Sequence, residues 1–172
     1  MPSPRIDKQL TDETYFVTFT VNQWLDVFTS ETYFDLLISN LKFYIKEYNI
    51  ELFGYVIMTN HMHLIARCAN MIRFIRSYKG FTCKKIIEVV KNDSRKYILP
   101  LLMKQKCYSF QVWQPQNWPE LVESEKFFQQ KLNYIHQNPV IKGYVEREED
   151  WKYSSARNYY CNDHSILEVE IL

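Results

Sequence analysis

Two apolar runs, Leu52 to Met58 and His61 to Cys68, are separated by only Thr59-Asn60. Two short polar residues suffice for a tight hairpin or bend, so the second run is predicted to be the antiparallel neighbour of the first. The first run is near-continuously apolar, which predicts a strand covered on both faces and central in its sheet. In the second run side chains alternate between faces. Met62, Leu64, Ala66 and Cys68 take one side, and His61, His63, Ile65 and Arg67 the other.

The remaining elements surround this pair. Thr14 to Val21 is β-branched and aromatic with alternating Thr, and reads as a strand with one face on a core. Ser30 is placed to cap a helix reaching about Tyr48, with Glu31 in its first turn and Phe34, Leu37, Ile38, Leu41 and Ile45 at helical spacing. From Met71 to about Gln105 the pattern is helical, with breaks expected at Lys79-Gly80 and at Asn92-Asp93-Ser94, and with Thr82 and Ser94 as caps of the later pieces. Tyr108 to Gln114 alternates like a strand. Ser124 is placed to cap a helix from Glu125 to Gln137 or Asn138, which Pro139 is expected to stop. Gly143-Tyr144-Val145 reads as a short strand, and Trp151 to Ala156 leads into a short helix ending near Tyr160. Ile166 to Leu172 reads as an edge strand or a partner-dependent tail. The expected architecture is one α+β domain of 172 residues, a central antiparallel sheet of four to five strands with flanking helices.

Composition narrows the function classes. Three glycines leave little room for a phosphate-cradling loop, so neither a P-loop nor a dinucleotide site is supported. The four cysteines, Cys68, Cys83, Cys107 and Cys161, form no C-x-x-C pair, against a zinc ribbon and thioredoxin-like chemistry. No apolar run approaches a membrane span and no leader pattern follows Met1, so a soluble cytoplasmic protein without a membrane partner is expected. Net charge is +1, and any polyanion site must therefore be local. Arg73, Arg76, Lys79, Lys84 and Lys85 supply such a bias, compatible with a phosphate-contacting surface or with a solvated helix face.

Two constellations carry chemistry. In an extended strand residues i and i+2 face the same way, so His61 and His63 are placed to offer two imidazoles to one ion. On the helix that ends in Tyr134-Ile135-His136-Gln137-Asn138-Pro139, Phe128, Leu132 and Ile135 form the core stripe, while Phe127, Lys131, Tyr134 and Asn138 cluster about 90° to one side. His136 lies about 160° from Tyr134 and is expected to cap or pack at the surface, and His164 to be exposed. Trp113, Trp118 and Tyr108 are candidates for stacking on bases.

Met58-Thr59-Asn60-His61-Met62-His63-Leu64 and Tyr134-Ile135-His136-Gln137-Asn138-Pro139-Val140 together resemble the metal motif and tyrosine helix of the HUH endonuclease superfamily, most closely its REP-associated tyrosine transposases. The resemblance implies a ferredoxin/RRM-like HUH endonuclease fold, with Mg²⁺ or Mn²⁺ held by His61, His63 and Asn138. It implies Tyr134 as nucleophile in nicking and rejoining hairpin or palindromic single-stranded DNA through a 5′-phosphotyrosine; Lys131, one turn away, is placed to help it ionise. A homodimer is implied by the same resemblance. A non-catalytic binder of structured single strands, and a phosphodiesterase that activates water, are the alternatives.

Overall fold

The computed structural model describes residues 12–104, 109–116 and 119–172. Four strands, β1 (Thr14–Thr20), β2 (Glu51–Ile57), β3 (His61–Arg67) and β4 (Glu120–Leu121), form an antiparallel sheet in the order β2-β3-β1-β4. Four helices accompany them: α1 (Glu31–Glu47), α2 (Met71–Asn92), α3 (Glu125–Ile141) and α4 (Ala156–Cys161). The fold class is thus α+β, as expected.

Alternation sorts the sheet into two faces. Tyr15, Val17 and Phe19 of β1 and Met62, Leu64 and Ala66 of β3 join the buried faces of α1 and α2 in the larger core. Phe16, Ile65 and Val56 point the other way and meet Phe128, Leu132 and Ile135 of α3 in a smaller core. Burying each such side chain contributes roughly 1.5–3 kcal/mol, so both faces are firmly covered. His61 and His63 lie on the α3 side, opposite α1 and α2.

The hairpin forms where Thr59-Asn60 placed it, closed by Met58 N–H donating to the His61 carbonyl at 2.8 Å. β2, however, is an edge strand and not a central one. Its continuous apolarity reflects cover on both faces, and its outer edge is sealed by the chain's C-terminal third. Ile57 N–H donates to Tyr153 O, Ser155 N–H to Tyr55 O and Glu170 N–H to Leu52 O. A register shift between Leu52 and Gly54 turns Leu52, Tyr55 and Ile57 toward the larger core and Phe53 and Val56 toward α3. A Cβ on Gly54 would lie 2.9 Å from Leu132 Cδ1, so the absence of a side chain there lets α3 approach the sheet.

Several expected boundaries differ. α2 runs unbroken through Gly80 and begins at an Asn70 cap, while Thr82 is buried inside it, donating to the Tyr78 carbonyl and accepting from Trp113 Nε1. Ser94 caps nothing: the following 3₁₀ turn, Lys96–Leu102, has Arg95 at its start and no side-chain cap. Of the expected 108–114 strand, the described residues 109–114 form no strand and make isolated bridges, Val21 with Trp113 and Met103 with Phe110; Tyr108 lies outside the described residues, as does Trp118. α3 continues past Pro139 to Ile141, and Gly143-Tyr144 is a turn closing that helix instead of a strand. The tail buries Leu167 and Val169 in the larger core without forming a strand. No helix among the described residues is long and apolar enough to cross a membrane.

Candidate metal and tyrosine site

β3 and α3 bring the two sequence motifs together. A cavity of about 190 Å³ is lined by Trp24, His61, His63, Tyr134, Asn138, Ile141 and Lys142. The rings of His61 and His63 stand 4.9 Å apart, and Tyr134 meets the His63 ring edge-on at 5.2 Å. Tyr134 is 47% exposed and meets the rings of His63 and Phe16, whereas both histidines and Asn138 are buried.

The hydrogen bonds define which nitrogen each histidine presents. His61 Nδ1 lies 2.7 Å from Asn60 Oδ1, which can only accept, so Nδ1 carries the proton and Nε2 keeps its lone pair. That Nε2 faces Asn138 Nδ2 at 3.3 Å. His63 Nδ1 bonds Thr18 Oγ1, its cross-strand partner, at 2.8 Å. His63 Nε2 is buried with no hydrogen-bond partner among the described residues. An unpaired polar atom in a protein interior costs free energy and asks for a reason. Burial pushes the pKa of His61 down to about 4, helped by the nearby Lys142 charge, and that of His63 down to about 3, helped by His61 and Lys131. Both imidazoles are therefore neutral near pH 7, the state in which they ligate metals.

This donor set fits a divalent ion: two neutral imidazoles, one with an unsatisfied Nε2, beside an amide whose oxygen turns inward if the side chain rotates by half a turn. No group of three or more His, Cys, Asp or Glu gathers among the described residues; the polar group beside the two histidines is the Asn138 amide.

Lys131 extends toward β4. Its ammonium pairs with Glu120 at 2.5 Å and lies 4.3 Å over the ring of Phe16, the same ring that Tyr134 and His63 touch. His136 is neither a cap nor at the surface. It is buried between α3 and α4, where the Ser155 hydroxyl donates to the Tyr55 carbonyl and lies 2.9 Å from His136 Nε2. The helix map separated His136 from Tyr134 correctly, but it could not see that the 153–161 segment folds over that flank. His164 is exposed, next to Asn158.

The five basic residues of α2 stay apart from this cavity, since α2 covers the other face of the sheet. Lys79 bonds the Gln114 carbonyl, Lys85 pairs with Glu88, and Arg73 sits over the Tyr48 ring; Arg76 and Lys84 are exposed. Trp113 is buried against Phe19 and Phe28. Trp24 at the cavity rim went unnoticed in the sequence, because nothing in Asn22-Gln23-Trp24 announces a position beside His61.

No family model matches the chain. Over 52 residues, 30% of each chain, it is 42% identical to a Haemophilus influenzae protein assigned to the REP-associated tyrosine transposases. Over 62 residues it is 33% identical to the REP-associated tyrosine transposase of Escherichia coli, covering 33% of this chain and 38% of that one. Each match thus spans well under half of the relative's length. A solved REP-associated tyrosine transposase bound to a REP hairpin superposes along the whole of both chains with a TM-score of 0.67 at 20% identity, a likeness of fold. The chain is therefore similar to the REP-associated tyrosine transposases, locally in sequence and throughout in fold.

Proposed function

We propose that this chain nicks and rejoins hairpin-forming single-stranded DNA through a covalent bond to Tyr134, with Mg²⁺ or Mn²⁺ held by His61, His63 and Asn138. The observation that carries the reading is the half-exposed Tyr134 ring standing edge-on to a buried, neutral His63 whose Nε2 has no partner among the described residues. The relative of like fold was solved with a REP hairpin, which supports hairpin DNA as the substrate class. When bound, the ion supplies Lewis-acid polarisation of the scissile phosphate.

Tyr134 Oη attacks the phosphorus and the P–O3′ bond breaks. The phenolic proton leaves and the departing 3′ oxygen is protonated, giving a 5′-phosphotyrosine and a free 3′-OH. Attack by another 3′-OH reverses these steps, exchanging one ester for another, so no nucleotide cofactor is consumed. Attack requires the phenol to give up its proton, which nearby positive charge favours. Lys131, one turn from Tyr134 and sharing the Phe16 ring with it, supplies positive charge for that purpose. By the same resemblance the working form is a homodimer.

The test is incubation of the protein with Mg²⁺ or Mn²⁺ and end-labelled DNA hairpins carrying single-stranded flanks. A denaturant-stable protein–DNA adduct is expected, absent in Tyr134→Phe and lost on chelation. Cleavage that persists in Tyr134→Phe would establish attack by water, and binding with no cleavage across a broad set of hairpins would establish a binder. In the same assay Lys131→Met should move the pH profile to higher pH; an unmoved profile removes that role.

A further inference from the structure

We propose that Trp24 and Lys142 form a nucleotide subsite beside the scissile phosphate, the indole stacking on a nucleobase and the ammonium taking the adjoining phosphate. The inference rests on the strand-cleavage reading only for the position of that base. Trp24 is 59% exposed. A single exposed aromatic residue is ordinary in itself. Three features set this one apart.

First, it lines the cavity of the two histidines, its ring 5.9 Å from His61 and inclined at 68°, so the cavity meets one edge of an otherwise open indole. Second, Gln23 and Trp24 both hold positive φ, 56° and 55°, a region that non-glycine residues rarely occupy and that, when occupied, points to a functional constraint. Third, the turn is pinned on several sides. Asn22 N–H donates to the Val112 carbonyl, Asn60 Nδ2 to the Trp24 carbonyl and Gln23 Nε2 to the Leu101 carbonyl. Asn60 is also the residue that orients His61, so the Trp24 backbone and the His61 imidazole are tied to one side chain.

Lys142 completes the rim. It ends α3, its N–H bonded to the Asn138 carbonyl, so its backbone is fixed to the third proposed ligand. A flat ring and a cation flanking this cavity match an unstacked single-stranded nucleotide, which offers a π-face and an anion. A base in a duplex has no free face to offer.

The experiment measures binding of labelled DNA hairpins with single-stranded flanks to the Tyr134→Phe protein, and adduct formation by the Tyr134 protein, each with and without Trp24→Ala. An abasic residue is stepped through the flank. Trp24→Ala is expected to weaken binding roughly ten- to hundredfold, and the loss should vanish for one abasic position only. Trp24→Phe should restore most of the binding. A loss equal on every abasic substrate, or no loss, overturns the subsite. If Trp24-dependent binding is seen while the Tyr134 protein forms no adduct, the cleavage reading fails and the subsite stands. If adducts form and Trp24→Ala binds every substrate as tightly, the subsite fails and cleavage stands.

Discussion

Neutrality is the property that makes His61 and His63 useful. Burial depresses both pKa values far below the ordinary 6.5, so both rings are neutral at pH 7, and on the proposed reading an ion bound there would displace no proton from either ring. For a histidine left at its ordinary value, part of each ring would be protonated at pH 6.5 and binding would release those protons. Calorimetric titration of the protein with Mn²⁺ at pH 6.5, in two buffers of different ionisation enthalpy, is therefore expected to give the same heat. A buffer-dependent heat corresponding to half a proton or more per ion would contradict the buried, neutral pair. The same residues explain why composition is blind to the site: His63 is one of four histidines, distinguished only by an Nε2 that nothing satisfies.

At the scale of elements, the end of α3 decides the geometry of Asn138 and Lys142. Pro139 lacks the N–H that would bond the Ile135 carbonyl, and from sequence it should end the helix. The last turn forms nonetheless, because Gly143 N–H bonds the Val140 carbonyl and Tyr144 N–H reaches back to Pro139, with Gly143 at φ +73°. Left-handed backbone is inexpensive only for glycine. Gly143→Ala, with open space around the added methyl, is expected to cost about 1–2 kcal/mol in urea unfolding purely from backbone conformation. A loss below half of that would mean that the turn does not depend on this conformation. Gly80 offers the contrast: it lies exposed within α2, where the helix passes through it without a break.

At the scale of the whole molecule, the sheet divides labour between its faces. One face is packed under α1 and α2; the other carries α3 and the candidate site. On the proposed reading, the basic residues of α2 would contact DNA only if a hairpin stem extended beyond the face that holds the candidate site. Replacing Arg73, Arg76, Lys84 and Lys85 by Gln tests this by the salt dependence of hairpin binding. Contact with the stem is expected to lower the slope of log K against log salt by about 0.9 for each phosphate released. An unchanged slope would confine recognition to the His–Tyr face.

Local pattern settled a good deal of this molecule. Period-two alternation placed His61 and His63 on one side of a strand, two polar residues made the hairpin, and helical period put Tyr134 and Asn138 on one flank of α3 with Phe128, Leu132 and Ile135 as its core stripe. These are consequences of backbone geometry, which depends on neighbours in the chain. What tertiary structure alone decided involves partners distant in sequence. The edge position of β2 depends on Tyr153, Ser155 and Glu170, the burial of His136 on Ser155, and the side of the sheet taken by α2 on which apolar faces fit together. Trp24 belongs to this second group. Its place beside His61 comes from a turn held by Asn60, Leu101 and Val112, residues that only folding brings within hydrogen-bond reach.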